Sequence, residues 1–232
     1  MGFLMLDWPA PRNIKSVVST RYSLGEPVTN WSRSAFQQQV RSPNLCWLKQ
    51  VHGTTVLNAK AWQPEVEADA CWTASPGQAC VVLTADCLPV LFCNDLGTEV
   101  AAVHAGWRGL AAGILEVAIA KFSAPRGSIM AYIGPHIGAK HFEVGEDVKD
   151  GMRSRALPGS VLDAAFEQRG SKYMANLNIL ARAILGAQGV NRVYGGELCS
   201  IENNDLFYSY RKGGVTGRNA SAIWIDDTDE QC

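Results

Sequence analysis

An apolar hairpin near the middle of the chain constrains the fold more than any other feature. Leu88–Cys93 and Thr98–Val103 are apolar runs of strand length, and the Asn94–Gly97 segment between them consists mostly of turn-forming residues. Two strands joined by so short a loop pair directly and antiparallel. The chain is therefore expected to contain at least one sheet with this hairpin in it.

The expected register of the hairpin brings two reactive side chains together. If the four turn residues form the loop, Cys93 faces Thr98, and counting back along the ladder places Cys87 directly opposite His104. Directly opposed residues have Cβ atoms about 4.5–5.5 Å apart, a separation that two ligands of one metal ion can use. Because Pro89 cannot donate a ladder hydrogen bond, the first strand is expected to be an edge strand, or bulged, near Cys87.

The rest of the hydrophobic pattern mixes strands with helices. Strands are predicted at Ile14–Thr20, at Cys46–Leu57 with an interruption at His52-Gly53, and at Ala79–Thr84, Ile129–Ile133, Val190–Tyr194 and Ala222–Ile225. Helices are predicted from Gly106 to about Phe122, at Glu146–Ser154, and from a cap at Asn176 or Asn178 to Gly189. Without an internal repeat or a linker, residues 1–232 are expected to form a single domain of the α/β or α+β class rather than a doubly wound parallel sheet.

Composition excludes several classes of function. Of the 232 residues 47% are hydrophobic, enough for a packed core, and a net charge of −1 without a run of Lys or Arg predicts no nucleic-acid surface. The longest charge-free stretch, Ala70–Ala85, is interrupted by Pro76-Gly77, so no membrane span is expected. Seven cysteines without a Cys-x-x-Cys motif, and an N-terminus without a basic segment, favour a protein of the reducing cytoplasm.

Cys87, His104 and a further histidine, His52, form a candidate metal site. A thiolate and two neutral imidazoles leave a fourth position open, which is the arrangement of catalytic rather than structural zinc. In a second interpretation Cys87 is a nucleophile activated by His104, and His52 is incidental. In a third, Cys87 is a buried and inert thiol, and His104 has an ordinary structural hydrogen bond. The residues alone leave these three interpretations open.

Four polar residues near these positions are candidates for supporting roles. Asp86 is either a partner for a ligating histidine or a turn residue, and Gln50 is placed to orient a ligand or substrate. Arg108 is predicted at the start of a helix, an end that attracts anions. Arg211 lies in a loop that either binds phosphate or is a polar hairpin turn.

Several motifs together resemble one known family. They are Leu48-Lys-Gln-Val-His-Gly53, Ala68-Asp-Ala70, Leu83-Thr-Ala-Asp-Cys-Leu-Pro-Val90, His104-Ala-Gly-Trp-Arg-Gly109, Ile133-Gly-Pro135, Phe142-Glu-Val-Gly145 and Phe207-Tyr-Ser-Tyr-Arg211. The chain from Cys46 to Ile225 thereby resembles the YfiH family, also called laccase-domain or polyphenol oxidase-like proteins.

The resemblance implies a fold, a metal and an activity. The implied fold is a four-layer α/β/β/α sandwich, with zinc held by the residues that match as His52, Cys87 and His104. The family is described as purine nucleoside enzymes that phosphorolyse adenosine, guanosine, inosine or methylthioadenosine and that deaminate adenosine. Bacterial members are also linked to editing of cell-wall precursors, and older descriptions call the family copper-dependent polyphenol oxidases.

Some positions depart from the family pattern. The Asn-Leu-Gly-x-His-x-Gly-Asp segment common in the family is absent from the short Gly25–Asn44 region. An Asp common before the late helix is Asn176, and the usual Cys-Thr pair is Cys199-Ser200. These differences bear on substrate preference, while the three metal-ligand positions are intact.

The histidine count favours zinc over a multicopper centre. A trinuclear copper cluster needs several His-x-His pairs, and the chain has four histidines and no such pair. The hypothesis is therefore zinc-dependent phosphorolysis of purine nucleosides with deamination of adenosine, in which Arg108 or Arg211 binds phosphate and Cu²⁺ is at most a substitute. The alternatives are a Cys87–His104 hydrolase acting on a cell-wall or amide substrate, a laccase-like copper oxidase, and a non-enzymatic binding protein stabilised by its metal.

Overall fold

The computed structural model describes residues 2–22, 33–40, 44–214 and 216–226. Within those ranges the strands are β1 Phe3–Met5, β2 Ile14–Ser19, β3 Asn44–Cys46, β4 Val56–Asn58, β5 Ala70–Thr73, β6 Gln78–Thr84, β7 Leu88–Asn94, β8 Val100–Ala105, β9 Ile129–Ile133, β10 Glu143–Val144, β11 Phe166–Arg169, β12 Lys172–Ala175, β13 Arg192–Gly195 and β14 Asn219–Ile225. The α-helices are α1 Arg33–Gln39, α2 Trp107–Ala112, α3 Ile114–Ile119, α4 Glu146–Arg153, α5 Gly159–Ala165, α6 Leu177–Ala187 and α7 Tyr210–Gly213.

Two mixed sheets form the centre of the molecule. One has the strand order β13-β9-β7-β8-β5-β4, so that the β7–β8 hairpin lies in its middle, and the other has the order β1-β2-β14-β6-β3. A third, small antiparallel sheet has the strand order β10-β12-β11, and α4 and α5 lie between β10 and β11 in the sequence.

The alternation of side chains along the strands divides the core into layers. Val90 and Phe92 of β7 pack with α2, α3 and α6, whereas Leu91 and Cys93 of the same strand pack with β6 and β14 of the other sheet. The outer face of the five-stranded sheet packs against Phe36 of α1. The order of layers is thus helix, sheet, sheet, helices, which confirms the expected mixed α/β sandwich.

The hairpin has the expected loop length but a different register. The ladder closes at Asn94, whose N–H donates to the Glu99 carbonyl, so the four loop residues start one position later than predicted. The Asn94 side-chain oxygen accepts from the N–H groups of Thr98 and Glu99 and holds this turn. His104 consequently pairs with Pro89, and the prediction that it lies directly opposite Cys87 is wrong by two residues. A slip of two keeps every side chain on its predicted face.

The expectation that Pro89 marks an edge strand is also wrong. β7 lies between β8 and β9, and the Pro89 carbonyl accepts from the N–H of Gly134. Pro89 has no N–H to donate to the Gly134 carbonyl, which accepts instead from Nδ1 of His136. A side chain therefore replaces the missing ladder donor, and this allows a proline near the start of a central strand.

Most other predicted elements are present, with two corrections. The helix predicted from Gly106 to Phe122 is broken at Gly113, which has φ +96° and separates α2 from α3. The strand predicted over Cys46–Leu57 exists only at its two ends, as β3 and β4. The Asn176 side chain caps α6 by accepting from the N–H of Ile179, as expected. The segment that lacks the family motif lies largely outside the described residues.

Candidate metal centre

Three ligand side chains converge from separate parts of the chain. His104 is in β8, Cys87 lies in the loop before β7, and His52 lies in the irregular segment between β3 and β4. One ligand atom from each lies within 4.8 Å of the other two, and Cys87 Sγ is 3.9 Å from His52 Nε2. His104 is buried, Cys87 is half-buried and His52 is exposed, so the cluster lies at the surface end of the sheet.

A buried carboxylate, Asp69, organises this cluster. Its Oδ1 lies 2.8 Å from His104 Nδ1, and its two oxygens accept from the backbone N–H groups of Val51, His52 and Gly53 at 3.2, 2.9 and 2.6 Å. With the Nδ1 proton donated to Asp69, His104 presents Nε2 as a free ligand atom. One carboxylate thus orients one ligand directly and holds the backbone that carries the second.

The local backbone explains why the predicted strand is interrupted here. His52 has φ +61°, a left-handed conformation that is uncommon for a residue with a Cβ, and three successive N–H groups point at Asp69 instead of a neighbouring strand. Gly106 leaves room for the ligands on the other side, because a Cβ there would lie 3.1 Å from Cys87 Sγ and 3.2 Å from His52 Cδ2, closer than an ordinary van der Waals contact.

The charges of the cluster shift two pKa values in opposite directions. Burial alone raises the pKa of the Cys87 thiol, but hydrogen bonds from His104 and His52 outweigh it and lower that pKa to about 6. Burial alone lowers the pKa of His104, but hydrogen bonds to Asp69 and Cys87 raise it to about 9. Burial also opposes the charged form of Asp69, yet His104 and the Gly53 N–H keep its pKa below the ordinary value. The metal-free cluster therefore favours a thiolate beside an imidazolium.

The donor set fits a zinc-type ion. Ligand atoms bound tetrahedrally to zinc at about 2.0–2.3 Å lie about 3.3–3.6 Å from one another, so the observed separation of Cys87 and His52 needs only a small inward movement. The thiolate form of Cys87 is the form that binds metal. Three protein ligands leave a fourth position for a substrate or water.

The cluster opens into a cavity of about 520 Å³. Its wall includes the three ligands and the apolar side chains of Leu48, Ile137 and Phe142. Cationic residues are also present around the cavity: Arg33, Lys49, Arg211 and Arg218. The one acidic residue in the described lining, Asp86, is already engaged by hydrogen bonds, so the cavity suits a ligand with an apolar part and an anionic part.

Gln50 and Asp86 both line the cavity, and the side chains of both hold its wall together through hydrogen bonds. The Gln50 side chain accepts from the N–H of Leu83 and donates to its carbonyl, at 2.7 and 2.8 Å, and so joins the His52 segment to β6 at the cavity wall. Asp86 has φ +92° and is not in a strand. Its carboxylate accepts from Ser200 Oγ and from the Arg211 N–H, so it fastens loops of the wall, and Asp69 is the histidine partner instead.

The two candidate anion ligands differ in position. Arg211 lines the cavity, donates to the Glu143 carbonyl and lies over the Phe142 ring. Arg108 is at the start of α2, as predicted, but its guanidinium is exposed, stacks on Trp107 and does not line the cavity.

Sequence reasoning missed the role of Asp69. The sequence places Asp69 in the Ala68-Asp-Ala70 motif, directly before the buried strand β5, but no local pattern indicates that its carboxylate lies beside His104. Phe142 and Tyr210 also line the cavity without having been singled out.

A mixed α/β sandwich with a His₂Cys cluster at an open cavity defines a class of candidate metalloprotein. The family model described as "Multi-copper polyphenol oxidoreductase laccase" matches residues 26–226, and the chain belongs to this family. The resemblance noted from the sequence motifs is thereby confirmed.

Named relatives and solved structures agree with this placement. The chain is 48% identical over 239 residues to "Purine nucleoside phosphorylase YfiH" of Escherichia coli, covering 94% of this chain and 97% of the relative. It is 40% identical over 249 residues to "Purine nucleoside phosphorylase PA4543" of Pseudomonas aeruginosa, covering 97% and 99%. The crystal structure of Neisseria meningitidis protein NMB0706 superposes with a TM-score of 0.91 at 43% identity, covering 97% of this chain and all of the other.

The copper in the family description and the residues of this chain point to different chemistry. The chain has four histidines, and His136 is buried with its Nδ1 bonded to a backbone carbonyl. A cluster of several copper ions lacks ligands here, because such a cluster needs more imidazoles than His52, His104 and His141 supply.

No helix in the described part of the chain is long and apolar enough to cross a bilayer.

Proposed function

We propose that this chain is a zinc-dependent purine nucleoside phosphorylase that also deaminates adenosine. The observation that carries the proposal is the His52, Cys87 and His104 cluster, which opens into a cavity bordered by cationic residues. The relatives that cover nearly all of the chain carry the name purine nucleoside phosphorylase, which supports the same activity. The cavity volume lies in the usual range for small-molecule sites.

The metal has a limited part in this proposal. Held by two imidazoles and a thiolate, zinc supplies a Lewis acid at an open coordination position. The protein keeps that site ready, because Asp69 orients His104 and holds the His52 backbone.

Arg211 is proposed to bind the phosphate. Phosphorolysis breaks the bond between the purine nitrogen and the anomeric carbon of the ribose, and a phosphate oxygen takes the place of the base on that carbon. Arg211 suits this anion because it lines the cavity and its backbone is held by Asp86. Phe142, on the same wall, offers an apolar surface for the purine or the ribose. Arg108 suits the role less well, because it lies outside the cavity lining.

The test is product analysis with matched variants. Purified zinc-loaded protein is incubated with adenosine, with and without phosphate, and the products are separated by chromatography. Phosphate-dependent adenine that is lost in Cys87→Ala supports phosphorolysis, and inosine supports deamination. Arg211→Ala should raise the KM for phosphate more than the KM for adenosine, whereas Arg169→Ala, an exposed arginine outside this cavity, should change neither. If folded, zinc-loaded protein forms neither adenine nor inosine, the proposal is refuted.

A second candidate function rests on the Asp69–His104–Cys87 arrangement. The 2.8 Å contact between Asp69 and His104, with the thiol of Cys87 on the other side of the ring, has the order of an acid, a base and a nucleophile. This arrangement suits a cysteine hydrolase acting on a cell-wall or amide substrate without a metal. Turnover that survives chelation but is lost on alkylation of Cys87 would favour it. Unfolding on chelation, without turnover beforehand, would instead favour a binding protein stabilised by its metal.

A further inference from the structure

A second group of ligand side chains lies outside the lining of the cavity. Cys199, His141 and Glu202 each place one ligand atom within 4.8 Å of the other two, and His141 Nε2 is 3.1 Å from Glu202 Oε1. Together with the His52 cluster, this is one of two such groups in the described part of the chain. None of its three residues lines the cavity or takes part in the function proposed above.

The backbone around Cys199 holds the thiol in a defined position. The N–H of Gly138 donates to Cys199 Sγ at 3.2 Å, and a Cβ on Gly138 would approach that sulfur to 3.1 Å. On the other side, the N–H and the side-chain amide of Asn203 both donate to the Cys199 carbonyl. A short parallel bridge pairs Cys199 with His136. The thiol therefore accepts one hydrogen bond, and the backbone that carries it is held by three further contacts, as is expected for a ligand positioned before binding.

The exposure of the three side chains fits a site that is open on one side. Cys199 is only 5% exposed, whereas the His141 side chain is 34% exposed and that of Glu202 is 51% exposed. The sulfur lies at the base, and the imidazole and the carboxylate lie at the rim, where an ion can enter from solvent. A surface ion pair between His141 and Glu202 forms without a third partner, whereas a metal site needs the further ligand that the buried Cys199 sulfur provides.

We propose that Cys199, His141 and Glu202 form a second binding site for a divalent metal of the zinc type. A thiolate, an imidazole and a carboxylate are the three kinds of ligand that zinc uses in proteins, and the sulfur disfavours magnesium and calcium. Three protein ligands leave the fourth position to solvent, and the rim is exposed.

The position of the second site connects it to the wall of the cavity. Ile137 and Phe142 line the cavity and lie on either side of the segment that carries Gly138 and His141. Ser200, next to Cys199, donates to Asp86, and Asp86 directly precedes Cys87, a ligand of the His52 cluster. A metal at the second site would join these two loops.

Metal titration of the full chain tests the proposal. Metal is removed with a chelator, and Zn²⁺ is titrated against a chromophoric competitor. The wild type should bind two ions and Cys87→Ser one. In the Cys87→Ser background, His141→Ala and Glu202→Ala should each weaken the remaining ion by more than about tenfold, since loss of a ligand costs more than loss of an outer hydrogen bond. Glu167→Ala, which removes an exposed carboxylate outside the cluster, should leave it unchanged.

Co²⁺ provides a direct report on the sulfur. In the Cys87→Ser background, bound Co²⁺ should show thiolate charge-transfer absorption that is lost in the further variant Cys199→Ser. If Cys199→Ser does not fold, the variants at His141 and Glu202 still decide the question, because both side chains reach the surface. Binding of a single ion by the wild type would overturn the proposal. Retention of the second ion with unchanged affinity in both rim variants would also overturn it.

Discussion

Asp69→Asn is the substitution that most directly tests how the metal centre is held in the fold. The Asp69 carboxylate is fully buried and makes four contacts, two on each oxygen. An asparagine has almost the same shape but offers one oxygen, so two of the four contacts lose their acceptor and face an N–H₂ group. The substitution therefore tests the charge and the hydrogen bonds without creating a cavity.

The size of the effect follows from those contacts. Hydrogen bonds to a charged group contribute about 1.5–3 kcal/mol each, so the loss of two predicts destabilisation of about 3–6 kcal/mol for the Val51–Gly53 backbone and the His104 side chain together. Replacing a residue that orients a ligand lowers metal affinity by about 10–100-fold. Both effects should appear in the same variant, because one carboxylate binds the His104 side chain and the Val51–Gly53 backbone.

Urea unfolding and competitive zinc titration measure the two quantities. The matched control is Glu67→Gln, two residues earlier, where the carboxylate is exposed and pairs with the exposed Lys49. Glu67→Gln should lower the free energy of unfolding by less than about 1 kcal/mol and leave the zinc affinity unchanged. Wild-type zinc affinity in Asp69→Asn would refute the role given to this carboxylate, and an unfolding midpoint equal to that of the control would refute the energetic argument.

Three further predictions follow from individual contacts. In metal-free protein, alkylation of Cys87 by iodoacetamide should have its midpoint near pH 6. An alkylation midpoint near pH 8.5, the ordinary value for a cysteine, would contradict this. Because folding lowers the pKa of Cys87, the stability that its thiolate contributes is fully present above about pH 8.5 and is lost as the pH falls through about 6. Gly106→Ala should reduce zinc affinity by crowding the ligands, whereas Gly127→Ala, with open space around it, should not, and equal affinities by titration would disprove the crowding. Leu115→Ala, in the buried face of α3, should cost about 2–5 kcal/mol in urea unfolding, against about 0.5 kcal/mol for the exposed Val117→Ala.

The hairpin shows what local pattern can and cannot predict. The two apolar runs and the turn residues were sufficient to place β7, β8 and a four-residue loop. The register depended on one side chain, Asn94, whose hydrogen bonds to Thr98 and Glu99 move the loop by one position. Period-two alternation cannot distinguish registers that differ by two residues, because both place the same side chains on the same face.

Pro89 shows how a rule of local structure is overridden by a contact from elsewhere. The rule that proline belongs at a sheet edge assumes that the carbonyl across from it would otherwise lack a donor. Here His136, far along the chain, donates to the Gly134 carbonyl and removes that cost. No pattern around Pro89 indicates this.

The sequence by itself determined the hairpin, most of the strands in the core, the cap of α6 and, through its motifs, the family and the three residues of the candidate metal centre. Those features depend on periodicity, turn chemistry and residue types at fixed spacing, which are local. Only the tertiary structure decided that Asp69 orients His104, that Asp86 fastens the cavity wall and that Cys199 lies beside His141 and Glu202. The contacts of Asp69 with His104, of Asp86 with Ser200 and of His141 with Glu202 each join residues at least 35 positions apart. Packing of separate segments, rather than local pattern, determines which of them meet.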